Sequence, residues 1–241
     1  MKLTIIIPAF NEEHYLPSTL DSIKTSASRL RAVSDAEVDI LVVDNNSEDD
    51  TAAVARSNGA TVVHEPVQGI ARARNAGADH AEGDVLVFVD ADVVLPDTIL
   101  ERIHTAMSHP DCVGGAVDVE YRPKRRLLRP YLGAWRLLSR LTGIAQGATQ
   151  FCRKSVFIEV GGYDEKAWIG EDADFFWALK KLAKRTGRKV RFIESPRVQA
   201  SSRRFDKWPL WKILVWTNPL FIVLFRRRKA FWSGWYSRAV R

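Results

Sequence analysis

Val85-Leu-Val-Phe-Val-Asp-Ala-Asp-Val-Val94 is five apolar residues that stop abruptly at two carboxylates. A short run apolar at every position reads as a strand covered on both faces, the mark of a parallel sheet, since a half-exposed strand would alternate. Comparable runs precede it at Leu3 to Ile7, Asp39 to Val43 and Thr61 to His64. Helical stretches lie between them, near Tyr15 to Leu30, Thr51 to Arg56 and Ile70 to Ala81. Strands alternating with helices predict an α/β chain with a mostly parallel, Rossmann-like central sheet and helices on both faces. Further on come a strand at Val113 to Tyr121, a basic linker from Arg122 to Arg129 and a Gly-rich apolar stretch from Gly143 to Phe151. A helix from Asp172 to about Arg185, ended by Gly187, completes the pattern.

The 241 residues suit one domain, expected over 1–205, with a basic aromatic tail over 206–241. Two cysteines, Cys112 and Cys152, form no disulfide framework and no Cys-x-x-Cys spacing, which reads as a reduced cytoplasmic protein. The N-terminus enters a strand that Pro8 cuts short, with Glu12 and Glu13 following, and carries no signal-peptide pattern. Net charge is +7, yet Arg197 to Arg241 hold eleven Lys/Arg against one acid, so that segment carries +10 and the rest −3. A mildly acidic body argues against nucleic acid as a partner.

Ligands of open α/β sheets bind beyond the carboxyl ends of the strands. The segments there are Pro-Ala-Phe-Asn-Glu-Glu at 8–13, Asp-Asn-Asn-Ser-Glu-Asp-Asp at 44–50 and Asp-Ala-Asp at 90–92, all rich in carboxylates. No Gly-x-Gly-x-x-Gly follows the first strand, which excludes the usual dinucleotide fingerprint. If the strand stays extended, Asp90 and Asp92 point to one side and offer hard oxygens to Mg2+ or Mn2+ and, through it, to a diphosphate. Asp44 can accept from a nucleobase N–H or a ribose hydroxyl, or close an Asx turn, and of these the ligand role is preferred; Asp49 and Asp50 read as helix caps. Arg72 and Arg74 open a helix whose N-terminus suits phosphate, with one free to face the site and the other solvent.

Taken in order, IIIPAFNEE at 5–13, VVDNNSEDDT at 42–51, GIARARNAG at 69–77, VFVDADVVLP at 87–96 and GGYDE with GEDADF between 161 and 175 resemble a family 2 glycosyltransferase of GT-A fold. The resemblance implies that Pro8, Ala9, Phe10, Glu12 and Asp44 line a nucleotide pocket, with Ala91 beside the ribose. It implies that Asp90 and Asp92 are the metal motif, and that Glu171-Asp172 is the Glu-Asp motif whose Asp172 is general base on the acceptor hydroxyl. The expected activity is metal-dependent, inverting transfer from a UDP- or GDP-sugar to a hydroxyl acceptor. Two departures stand out. No histidine lies beyond His109 to serve as a further metal ligand, and QASSRRF at 199–205 replaces the Gln-x-x-Arg-Trp of processive synthases. Non-processive transfer is therefore expected, with Arg203 or Arg204 closing over the diphosphate.

In the tail, clustered tryptophans flank an apolar run from Ile213 to Phe225, and Arg226-Arg227-Arg228-Lys229 follows. The run is shorter than the ~20 residues a bilayer-crossing helix needs. An interfacial segment on an anionic membrane surface, next to a lipid-linked acceptor, is one expectation; packing on its own domain or in a homo-oligomer is the other. A nucleotidyltransferase of related fold would require a Gly-rich phosphate loop that PAFNEE lacks. A noncatalytic membrane-associated binding module would leave the acidic sites unexplained.

Overall fold

The computed structural model describes residues 1–142 and 147–232. The Gly143 end of the Gly-rich stretch and the end of the tail, including Trp235, Tyr236, Arg238 and Arg241, lie outside these residues. In chain order the elements are β1 (Lys2–Ala9), α1 (Leu16–Val33), β2 (Glu37–Asp44), α2 (Thr51–Ser57), β3 (Thr61–His64), α3 (Ile70–His80), β4 (Val85–Val89) and β5 (Val93–Val94). After them come α4 (Ile99–Ser108), β6 (Cys112–Tyr121), α5 (Leu128–Thr142), β7 (Thr149–Arg153), α6 (Lys154–Val160), α7 (Glu171–Thr186) and β8 (Lys189–Ala200). Four short helices end the described chain: α8 (Arg203–Lys207), α9 (Leu210–Trp216), α10 (Pro219–Phe225) and α11 (Lys229–Trp232).

The strands form one sheet in the order β3-β2-β1-β4-β7-β6-β8-β5. From β3 to β4 it is parallel, as the continuous apolar runs predict. Both faces are covered: Leu3, Ile5 and Ile7 of β1 and Val85, Val87 and Val89 of β4 pack toward α1 and α4, while Ile6, Leu86 and Phe88 pack toward α3, α6 and α7. The chain runs outward through β2 and β3, then returns to the other side of β1 as β4. That reversal opens a crevice at the carboxyl ends of β1 and β4. Ala9 and Asp44 are register partners at this edge.

Beyond β4 the sheet becomes mixed, and with four of its seven strand pairings parallel it is mostly parallel, as expected. Strand β7 lies antiparallel between β4 and β6, and β8 is parallel to β6 but antiparallel to β5. A parallel neighbour requires a crossover helix on the sheet face. The helix joining β6 to β7, α5, does not serve as one: its Leu128 packs with Trp208 and Ile213 of the C-terminal segment. Sequence patterning also missed α5 and β8. Helix α5 is amphipathic but carries the helix-breaking signals Pro130 and Gly133, and β8 is mostly exposed and interrupted by Pro196, so neither reads as a regular element from residue type.

Glycine sets the depth of α3. A Cβ on Gly77 would stand 2.4 Å from Ile6 Cγ2 and 3.0 Å from Val43 Cγ2, so only glycine lets the helix lie this close to β1 and β2. Around Phe88, the rings of Phe157, Tyr163 and Phe175 have centroids 5.5, 5.1 and 6.2 Å away. Such pairs add about 0.5–1.5 kcal/mol each beyond area burial and hold the start of α7 against the sheet. Among the described residues, no helix is long and apolar enough to cross a membrane.

Candidate active site

A cleft of about 400 Å³ opens where the crevice was expected. One wall is Pro8, Ala9 and Phe10 after β1, with Asn45 after β2; the floor is Asp90, Ala91 and Asp92 after β4; the opposite wall is Glu171 and Asp172 at the start of α7. These strand-end loops are stitched together. Asn45 N donates to Ala9 O at 2.8 Å, Asn45 Nδ2 donates to Val67 O at 2.8 Å, and Gly69 N donates to Asn45 Oδ1 at 2.7 Å. The same asparagine thereby aims α3 at the cleft.

The floor is a turn and not the extended segment expected from sequence, because Val93 N donates to Asp90 O at 3.2 Å. The two aspartates are consequently held by different arginines. Arg74 donates through Nη2 to Asp90 Oδ1 at 2.8 Å and through Nη1 to Glu171 Oε1 at 2.6 Å. Arg203 grips both oxygens of Glu12, at 2.7 and 2.5 Å, and its Nη2 lies 3.1 Å from Asp92 Oδ2. Both guanidiniums are buried, and each leaves its Nε without a hydrogen-bond partner. Each also sits over an aromatic ring, Arg74 at 5.0 Å from the Tyr163 centroid and Arg203 at 4.4 Å from that of Tyr15. The ring faces offset part of that desolvation.

Glu171 and Asp172 differ in kind. The Glu171 side chain is sealed against Arg74, and burial together with the charge of Asp172 pushes its pKa up to about 7 against the pull of Arg74. Asp172 keeps access to the cleft. Its Oδ2 accepts from Gly147 N at 2.6 Å, its Oδ1 accepts from Ala173 N at 2.9 Å, and its own carbonyl accepts from Gln150 Nε2 at 2.9 Å. A Cβ at position 147 would stand 2.4 Å from Asp172 Cβ, which makes Gly147 part of the carboxylate's seat. Burial raises the pKa of Asp90 as well, with Arg74 opposing and Asp92 adding to the rise. The Asp90 side chain keeps 31% of its surface, which tempers that shift.

Not every residue singled out from sequence reaches the cleft. Arg72 is turned away and pairs with Glu165 at 2.9 Å. Asp44 closes the Asx-type turn, accepting from Ser47 N at 3.1 Å, and its neighbour Asn45 faces the cleft in its place. Asp49 accepts from Thr51 N at 3.0 Å at the start of α2, whereas Asp50 makes no side-chain cap. Arg204 lines the cleft beside Arg203.

The far side of the cleft was not foreseen. Tyr131, Leu132 and Trp135 of α5, Trp168 and Ile169 before α7, Trp177 of α7, Trp216 of α9 and Ile222 of α10 complete the lining. The described part of the expected tail, residues 206–232, thus folds back over the mouth, and α8 runs across the 205/206 boundary. Trp168 N donates to Arg226 O at 2.7 Å, Arg226 pairs with Asp174 at 2.5 Å, and Arg227 pairs with Asp164 at 2.9 Å. Two cations of the cluster expected to meet anionic lipid are thereby bound within the chain; the side chain of Lys229 lies outside the described residues. The alternative that sequence left open, packing on its own domain, is the arrangement of the described tail.

Known proteins share this architecture. The chain is 42% identical over 90 residues to an uncharacterized glycosyltransferase of Mycobacterium tuberculosis, a match covering 37% of this chain and 36% of that protein. Glucosyl-3-phosphoglycerate synthase from Mycobacterium tuberculosis, solved with Mn2+ and uridine-diphosphate-glucose, superposes with a TM-score of 0.59 at 22% identity, over 94% of this chain and 78% of that one. The mannosyltransferase PcManGT from Pyrobaculum calidifontis, solved with GDP-Man and Mn2+, gives 0.61 at 22% identity over 83% and 56%. At such identities the likeness establishes the GT-A fold. The model described as glycosyl transferase family 2 matches residues 4–161, which takes in the wall after β1 and β2 and the Asp-Ala-Asp floor, and the chain therefore belongs to that family.

Proposed function

We propose that this chain transfers a sugar from a nucleotide-diphosphate donor, a UDP- or GDP-sugar, to a hydroxyl acceptor, with inversion and one transfer per encounter. The observation that carries the proposal is the meeting of carboxylates from two distant segments across one cleft, Asp90 and Asp92 on the floor and Asp172 on the wall. Pro8, Ala9, Phe10, Asn45 and Ala91 would hold the nucleoside. Arg204 would meet the diphosphate, while Arg203 keeps Glu12 and Asp92 in place.

The donor set fits a hard divalent cation. Asp90 Oδ2 and Asp92 Oδ1 take no hydrogen bond among the described residues, and carboxylate oxygens are the ligands Mg2+ and Mn2+ prefer. Asp90 and Asp92 would hold the ion, with donor oxygens and water completing its shell, since no third protein ligand joins them among the described residues. When bound, the metal would neutralise charge building on the leaving diphosphate. The acceptor oxygen bonds to the anomeric carbon as that carbon's bond to the phosphate oxygen breaks. The nucleoside diphosphate leaves with the electron pair, and Asp172 takes the acceptor's proton. The backbone amides of Gly147 and Ala173 occupy one lone-pair site on each Asp172 oxygen and leave others for that proton.

Thermal unfolding measured with a panel of UDP- and GDP-sugars, with and without Mn2+, tests the donor half, because selective ligands stabilise the native state by mass action. One donor should raise the midpoint with metal and do so less without it. A panel without effect at saturating ligand refutes the proposal.

A further inference from the structure

The acceptor half of the cleft differs chemically from the donor half. Its walls come from four separate elements and are nearly all apolar or aromatic, with Leu132, Trp135, Trp177, Trp216 and Ile222 prominent. Polar groups on that side are already engaged with one another. Trp135 Nε1 donates to Tyr131 Oη at 2.8 Å, Tyr131 Oη bonds Thr217 Oγ1, Thr217 Oγ1 donates to Ile213 O at 2.7 Å, and Asp174 is held by Arg226. A free saccharide carries a hydroxyl on almost every carbon, and burying these without partners costs about 1–3 kcal/mol each. A hydrocarbon needs no partner and gains from leaving water. The apolar character continues outward along α9, whose Trp211 and Leu214 are 65% and 53% exposed while Trp216 on the same helix lines the cleft. Exposed apolar side chains that continue from a cleft lining extend the apolar surface a ligand can cover.

We infer that the acceptor is an amphiphile, with its hydroxyl presented to Asp172 and its hydrocarbon portion lying between Trp135, Trp177, Trp216 and Ile222 under the C-terminal segment. The inference rests on the glycosyltransferase reading for the role of Asp172, but the apolar subsite exists independently of it. Residues 208–232 are then the roof of the acceptor subsite.

The test titrates the full chain with methyl, hexyl, octyl and decyl β-D-glucoside below their micelle concentrations, following tryptophan fluorescence and heat. Each added methylene that is buried should tighten binding by about two- to fourfold. Ile222→Ser, and separately Trp177→Ala at a position already 46% exposed, should flatten that dependence. Leu214→Ser on the outer face of α9 should leave it intact. Equal affinity for methyl and decyl glucoside overturns the inference in favour of a saccharide acceptor. Equal loss in Leu214→Ser and Ile222→Ser overturns it in favour of adsorption to the outer surface. Nucleotide binding with Mn2+, measured on the same samples, separates the two proposals. Chain-length dependence without nucleotide binding sinks the transferase reading and leaves the subsite standing, while nucleotide binding without chain-length dependence does the reverse.

Discussion

Replacing Arg74 with methionine should destabilise the protein in a manner that depends on pH. The guanidinium donates to Asp90 at 2.8 Å and to Glu171 at 2.6 Å, and hydrogen bonds to charged groups contribute roughly 1.5–3 kcal/mol each. Asp90 can rehydrate through its 31% exposed surface, so the loss falls mainly on Glu171, whose side chain is 6% exposed. Methionine fills most of the arginine volume and limits the cavity term. The expected loss at about pH 8 is therefore around 3 kcal/mol, near the lower end for a broken buried pair, or about 6–12 °C in Tm for a chain of this size. Glu171 sets the pH dependence. Its folded pKa, pushed up to about 7, lies above the ordinary 4.5, so the folded state binds the proton more tightly and this group's contribution falls as pH rises through that window. Arg74 opposes the rise; without it the folded value climbs further, and the falling window extends above 7. The variant should thus be closer to wild type at about pH 6, where Glu171 takes a proton, than at about pH 8. Urea unfolding at both pH values measures the difference. A loss under about 0.5 kcal/mol at the higher pH, the range of ordinary surface changes, would refute the reasoning, and so would a larger loss at the lower pH.

Other outcomes follow from the same geometry. Asp172→Asn should keep nucleotide affinity while transfer drops by about 10²-fold or more, and equal rates in the two proteins would exclude a general-base role. Asp92→Asn should abolish the tightening of UDP or GDP binding by Mn2+; calorimetry that finds the metal effect intact would remove Asp92 from the ligand set. Gly147→Ala should impair transfer far more than donor binding, because the new Cβ would stand 2.4 Å from Asp172 Cβ and 2.6 Å from its Oδ2 and would displace the carboxylate. Unchanged turnover in that variant would mean that the seat of Asp172 tolerates movement.

Much of the cleft at the ends of β1, β2 and β4 was legible from residue pattern. Apolar runs of β1, β2 and β4 are long enough to name buried strands, and the polar segments after them mark the ligand edge because strand ends are where a doubly covered sheet opens. Part of the rest could have been read. Arg72 and Arg74 are two residues apart on α3 and so face nearly opposite ways, and Arg74 shares a helix face with Gly77, the residue that touches the sheet. Periodicity pointed to opposite faces; the contact with Ile6 and Val43 decided which one entered the cleft. Asp90 and Asp92 show the limit of a one-dimensional rule. Spacing of i and i+2 aligns two side chains only while the backbone stays extended, and here the bond from Val93 N to Asp90 O turns it. The far side of the cleft was opaque for a related reason. Helix α5 and the tail are amphipathic toward a surface made by each other and by α7, and the pairing of Arg226 with Asp174 spans 52 residues. A basic, tryptophan-rich sequence has the same composition whether it lies on lipid or folds inward. Only the acids of α7 and of the loop before it, brought within reach by the sheet's topology, make the inward arrangement the one in which Arg226 and Arg227 are paired.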